Sequence, residues 1–252
     1  MKFLITGGAG FIGSSLCEHL LKNQHQVICF DNFDNFYPRI SKVENITPFI
    51  NHPNFLLVEG DLRDPEKVAT LFAGNNIDLV IHLAAKAGVR PSILDPKTYV
   101  DVNINGTMNL LESMKSHGVK KIIFSSSSSV YGNNEKIPYA ENDNVDFPIS
   151  PYAATKKSGE LLTYTYHHLH QFSVVNLRFF TVFGPRQRPD LAIHKFFDRL
   201  YKGQEIEMYG DGSTSRDYTY IDDIVSGILQ AADLIQHKKL AFYETINLGN
   251  SH

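Results

Sequence analysis

The chain has no tryptophan and only two cysteines, Cys17 and Cys29, among 252 residues. Two thiols build neither a disulfide framework nor a cysteine-based zinc site. So little cysteine fits a reducing compartment, and the cytoplasm is the simplest expectation. Long apolar runs are missing too: none approaches the roughly 18 residues of a membrane-spanning helix. Met1-Lys2-Phe3-Leu4-Ile5-Thr6 runs straight into glycines, without the apolar stretch and cleavage site of a signal peptide. An excess of one charge is also absent. Lysine and arginine total 24 against 27 aspartates and glutamates, a net charge of −3 without like-charge runs. No global field favours nucleic acid or an anionic membrane. What is present is a folding composition: 42% hydrophobic and 20% charged residues exclude a disordered chain. The length suits one large α/β domain with a small appendage.

Short apolar runs alternate with helical patterns. Candidate strands are Lys2–Thr6, Gln26–Phe30, Phe55–Glu59, Asp78–His82, Lys121–Ser125 and Ser173–Arg178. Several are apolar on both faces, as strands covered on both sides must be. Helical stretches lie between them. Phe11–Asn23 repeats Ile12, Leu16 and Leu20, and Asp64–Ala73 opens with Asp-Pro-Glu, a good helix start. Val100–His117 and Pro151–His170 read as longer helices. This order predicts a doubly wound parallel α/β sheet. Two long connections, 32–54 and 131–150, follow strands, where functional loops concentrate. Past residue 180 the alternation weakens. Residues 181–216 read as a substrate-side region, followed by a helix over 221–235 and a strand over 244–248.

Gly8-Ala9-Gly10-Phe11-Ile12-Gly13 matches G-x-G-x-x-G between a strand and a helix, and Gly7, Gly10 and Gly13 fit the wider spacing. Glycines there permit a tight turn, close approach to a pyrophosphate and tight helix–strand packing. The helix start offers free N–H groups and positive dipole to phosphate. Asp31, after the next strand, is placed to accept the adenosine ribose hydroxyls, and Asn32 adjoins it. A 2′-phosphate would meet its charge, so NAD is expected rather than NADP. Asp61 ends the third strand, where it either reaches the adenine or caps the following helix. His82 reads as a packed core histidine, with small residues after it that let backbone lie against a cofactor.

Tyr152 and Lys156 stand at i, i+4 on one predicted helix face. A neighbouring ammonium, together with the positive nicotinamide, favours phenolate, so the tyrosine pKa is expected to fall and make a general base. The alternative is an amphipathic helix with a snorkelling lysine. Ser125-Ser126-Ser127 offers a hydroxyl to share a substrate proton. His167, His168 and His170 share a helix end, but no ligand set joins them and no metal is expected.

Together, Thr6–Gly13, Asp31, Asp61-Leu62, His82–Ala85, Asn103–Thr107, Ser125–Gly132 and Tyr152–Lys156 resemble the extended short-chain dehydrogenase/reductase family, and within it the nucleotide-sugar 4-epimerases. The resemblance implies a Rossmann fold, tightly held NAD, a UDP-sugar substrate (UDP-glucose or UDP-glucuronate) and a homodimer through the helices 100–117 and 151–170. It implies that Ser127, Tyr152 and Lys156 are catalytic. It places Gly7, Gly10, Phe11, Ile12, Gly13, Asp31, Asn32, Asp61, Leu62, Leu83, Ala84, Ala85, Lys86, Asn103, Ser125, Tyr152 and Lys156 against the cofactor. Family dehydratases carry Asp-Glu after the catalytic hydroxyl, and decarboxylases tend to carry Glu. Here the pair is Ser128-Ser129, which cannot do carboxylate chemistry, so epimerisation is expected.

For the substrate the resemblance names Ser127, Ser129 and Thr181 at the sugar, Tyr209 near the uracil and Arg216 on the diphosphate. Arg188, and after it Arg90, are candidates for a sugar carboxylate, which a guanidinium binds bidentately. Their alternative is surface ion pairing. Residues 1–178 with 217–249 are expected to form the nucleotide domain, and 179–216 a small, incomplete substrate region. Relatives by this resemblance continue past residue 252, so NAD binding is expected to outlast turnover. A catalytically silent NAD-binding module is the alternative of another class.

Overall fold

The structure, a computed structural model, describes residues 1–206, 211, 216–238 and 241–250. Its centre is a parallel sheet of β1 (Lys2–Thr6), β2 (Gln26–Asp31), β3 (Phe55–Glu59), β4 (Leu79–His82), β5 (Lys121–Ser127), β6 (Ser173–Phe179) and β9 (Tyr243–Leu248). Their order is β3-β2-β1-β4-β5-β6-β9. The helices are α1 (Phe11–Lys22), α2 (Arg39–Ile46), α3 (Pro65–Phe72), α4 (Val89–Leu94), α5 (Pro96–Val100), α6 (Gly106–Ser116), α7 (Pro151–His170), α8 (Ala192–Tyr201) and α9 (Ile221–His237). The expected doubly wound fold is present.

The apolar runs explain the layers. Neighbours in a strand point to opposite faces. Ile5, Ile81, Ile123 and Val175 join one core with Leu16 and Leu20 of α1 and Ile224 and Ile228 of α9. Leu4, Val80, Ile122 and Val174 join the other with Leu71, Leu110 and Met114. A parallel strand buried on both sides therefore has no polar alternation to show. Each fully buried aliphatic side chain contributes roughly 1.5–3 kcal/mol.

The register brings the strand C-termini level. Thr6 pairs with Phe30 and with His82, His82 with Phe124, and Ser127 with Phe179. The sheet order reverses between β1 and β4, and a crevice opens above that point, where open α/β sheets bind ligands.

Three expectations need correction. The single helix over 100–117 is interrupted: α5 ends at Val100, a π-helical turn spans Asp101–Asn105, and α6 follows. The connection 32–54 contains α2 and a 3₁₀ turn, held by buried Ile46 and Phe49. Strand β5 runs on to Ser127 because every residue from Lys121 pairs with β6. Within 181–220, β7 (Thr181–Phe183) pairs in parallel with β8 (Tyr218–Tyr220), apart from the main sheet.

Candidate active site

The glycine turn is dictated by lack of room. Gly7 has φ +70°, and a Cβ there would lie 2.8 Å from the Ala84 nitrogen. A Cβ at Gly13 would lie 2.2 Å from the Gly7 carbonyl oxygen. Backbone thus replaces side chain at the start of α1. No side chain caps that helix. Its first N–H groups are left for a ligand.

Asp31 ends β2 with its carboxylate engaged. It accepts from the Ala9 and Phe33 N–H groups at 3.1 and 2.8 Å, and Lys42 Nζ lies 3.7 Å away. Asn32 donates to Asp61 at 2.8 Å. Asp61 also accepts from the Arg63 side chain at 3.0 and 2.8 Å. The Arg63 hydrogen bonds hold the Asp61 carboxyl far below the usual carboxylate range. The capping alternative for Asp61 fails, because Asp64 caps α3 by accepting from the Lys67 N–H. His82 is the packed histidine expected. Its ring nitrogens meet Thr6 Oγ1 at 2.7 Å and Thr107 Oγ1 at 3.0 Å. Burial, then the Lys156 charge, push it down to about 3.

The chemical end is built where α7 crosses the end of β5. Tyr152, Lys156 and Glu160 follow one another at i, i+4 and i+8, so one helix face meets three successive serines. Lys156 Nζ donates to the Ser125 carbonyl at 2.6 Å and lies 3.3 Å from Ser125 Oγ. Ser126 Oγ donates to Glu160 at 2.6 Å. Tyr152 has the Ser127 hydroxyl beside it. Ser127 Oγ lies 3.1 Å from Ser129 Oγ and accepts from the Ser129 N–H. Glu160 in turn receives Arg178 through two bonds of 2.9 Å, both side chains being buried.

The protein's own groups do not depress the tyrosine pKa; the nicotinamide charge, the other half of that expectation, belongs to the cofactor. Burial pushes the Tyr152 phenol up, with the Ser127 hydroxyl and then the Arg188 charge opposing. Burial also pushes Lys156 down to about 7. The lysine spends its donors on Ser125, and its nitrogen stands 6.0 Å from the centre of the tyrosine ring.

The glycine turn and the chemical end open on one crevice of about 480 Å³. At its nucleotide end are Gly7, Gly10, Phe11, Ile12, Gly13, Asp31, Asn32, Asp61 and Leu62. Leu83, Ala84, Ala85 and Lys86 form its floor, and Ser125, Ser127, Ser129, Tyr152 and Lys156 its chemical end. Thr181 and Arg188 close the far side. Backbone turn, a carboxylate at the end of β2 and a floor of small residues fit a dinucleotide.

Asn103 is placed elsewhere. It does not line the crevice; its Oδ1 accepts from the Lys86 N–H at 2.7 Å, and its Nδ2 donates to the Lys86 carbonyl and Thr155 Oγ1 at 3.0 Å each. It ties the floor to α7. Arg90 is exposed on α4, and Arg216 is exposed before β8; neither lines the crevice. Tyr209 lies outside the described residues. Sequence reasoning missed Phe36, Tyr37 and Lys42, which line the crevice from the connection read as a loop. Its cluster of aromatics was the available signal. It also missed Glu160, signalled only by its place one further turn along the Tyr152–Lys156 face.

A sequence model described as the NAD dependent epimerase/dehydratase family matches residues 3–249. The chain belongs to that family. Among its relatives, a UDP-glucuronate 4-epimerase of Thermodesulfobacterium geofontis is 44% identical over 98% of this chain and 74% of that protein. The crystal structure of a UDP-glucuronic acid 4-epimerase from Bacillus cereus, in complex with UDP-glucuronic acid and NAD, superposes with TM-score 0.90 at 41% identity. It covers 99% of this chain and 78% of that one. A UDP-glucose 4-epimerase from Thermotoga maritima with UDP-glucose gives 0.87 at 35% identity, over 100% and 78%. As in other members of the family, NAD is the cofactor that the crevice accommodates.

Proposed function

We propose that the protein is a UDP-sugar 4-epimerase acting on UDP-glucuronate, with UDP-glucose as the neutral alternative. The observation that carries this reading is the Tyr152–Lys156–Ser127 group at one end of the crevice whose other end is the glycine turn. Bound NAD supplies a hydride sink and source at C4, so the configuration inverts without net oxidation. Tyr152 takes the proton of the C4 hydroxyl and returns it when the ketone is reduced. Ser127 hydrogen-bonds the same oxygen and lowers the cost of deprotonating a phenol that burial holds protonated. Lys156 reaches the nicotinamide-side ribose from its anchor on Ser125. Ser128 and Ser129 bring no carboxylate, which favours epimerisation over dehydration or decarboxylation.

Arg188 supports the uronate, because a guanidinium lining the crevice suits a C6 carboxylate. Thr181 and Ser129 complete the sugar side, and Arg216 takes the diphosphate. Residues 1–178 with 217–249 form the nucleotide domain in this reading, since β9 pairs with β6 and α9 packs on α1. A homodimer forms through α6 and α7. The test follows the C4 proton by NMR after NAD-loaded protein is mixed with UDP-glucuronate, then UDP-glucose. Growth of the 4-epimer signal is expected. Turnover of neither sugar, or a product that has lost water or carbon dioxide, sinks the reading.

A further inference from the structure

Arg188 sits in the turn after β7 with its side chain only 19% exposed, and it lines the crevice. A guanidinium has two edges that can each grip a carboxylate: Nε with Nη2, and Nη1 with Nη2. Asp190 occupies the first. Arg188 Nε donates to Asp190 Oδ1 and Nη2 to Oδ2, both at 3.0 Å. Among the described residues no acceptor engages Nη1. The guanidinium carbon lies 5.6 Å from the centre of the Phe36 ring, itself a crevice wall. One edge is therefore clamped, one ring limits its swing, and the other edge is uncommitted.

The geometry points to Asp190 as a positioning residue for substrate choice: by clamping one edge of Arg188 it presents the Nη1 edge to the carboxylate of a UDP-uronate. This rests on the 4-epimerase reading above. Side-chain order gained in advance is not lost again on binding, so a preset arginine discriminates better than a mobile one. The turn itself does not depend on Asp190. Gln187 Nε2 donates to the Val182 carbonyl at 3.1 Å, the Leu191 N–H donates to the Arg188 carbonyl at 3.2 Å, and Arg186 reaches Glu18 at 2.6 Å. Nor does the pair carry net charge, so a neutral sugar meets no added field.

The test compares wild type, Asp190→Ala and Asp190→Glu, all loaded with NAD, on UDP-glucuronate and on UDP-glucose. Asp190→Ala is expected to raise KM for UDP-glucuronate about tenfold, the equivalent of roughly one charge-assisted contact. Turnover number, and KM for UDP-glucose, should stay within about twofold, and Asp190→Glu should recover part of the loss. An unchanged or lower KM for UDP-glucuronate overturns the inference, since Asp190 would then be idle or a competitor for the arginine. Equal losses with both sugars overturn it as well, since the role would be structural. If wild type turns over neither sugar, the epimerase reading fails. The inference is then decided by calorimetric titration of the same holoproteins, where the wild-type to Asp190→Ala affinity ratio must exceed about fivefold for UDP-glucuronate alone.

Discussion

Lys156 stands 6.0 Å from the centre of the Tyr152 ring and its charge acts on His82, and burial shifts all three groups. It raises the Tyr152 phenol, lowers Lys156 to about 7 and lowers His82 to about 3. A phenol held protonated needs its partners to work at neutral pH. Tyr152→Phe, which leaves the ring but no acid, should therefore cost about a thousandfold in turnover, in the middle of what positioned proton transfer supplies. Steady-state rates check this, and a loss under tenfold would remove Tyr152 from the chemistry. His82 makes a stability prediction. Its folded pKa lies below its unfolded value of 6.5, so the unfolded chain binds the extra proton first. The histidine's contribution is complete above pH 6.5 and is lost as pH falls towards 3, by up to about 1.4 kcal/mol per pH unit. Urea midpoints between pH 7 and 4.5 should fall steeply in wild type and less steeply in His82→Gln. Parallel slopes would assign the acid lability elsewhere. His82 was readable as a core residue because a histidine inside an apolar strand must pair its ring nitrogens. The phenol's upward shift was not readable, since it depends on how much protein closes around it.

At the scale of elements, the match between α7 and the end of β5 organises the site. Three helix residues one turn apart hold three consecutive strand residues, so displacement of α7 moves Tyr152 and Ser127 together. Glu160 secures the far end of that seam through Ser126 and the two bonds from Arg178. Glu160→Gln removes the charge and leaves the guanidinium buried and uncompensated, a change that typically costs 3–5 kcal/mol, about that much here. Chemical denaturation measures it, and a loss below about 1 kcal/mol would show that Arg178 finds another partner. The helices flanked by strong signals were legible: the glycine turn for α1, Asp-Pro-Glu for α3, and the long amphipathic run of α7. Two were not. The helix over 100–117 is broken by a π-helical turn at Asn103, whose side chain bonds to Lys86 and Thr155, contacts distant in sequence. Helix α2 carries mostly polar residues, and Val43, Ile46 and the following Phe49 are the apolar side chains that pack on the core.

The whole molecule shows what the periodicity could and could not carry. The order of strands and helices fixed a doubly wound sheet, and the reversal between β1 and β4 then placed the crevice without further assumption. Periodicity is silent on surfaces that face another chain. On α7, Leu161 is 56% exposed and Leu169 is 62% exposed, two full turns apart on one side. Met108 of α6, half-buried, packs inward against the core and meets the Tyr166 hydroxyl at 3.2 Å, so the exposed apolar side chains lie on α7. Exposed apolar side chains along one helix face are what an association surface offers. If these faces join two copies, a charge at the centre of the seam is buried without a partner and must separate them. Leu161→Glu is accordingly expected to convert a dimer to a monomer by light scattering. The thermal midpoint of the single chain should change little, because Leu161 is solvent-facing within one copy. A wild-type monomer at assay concentrations, or a Leu161→Glu protein that remains dimeric, would place any association on another face.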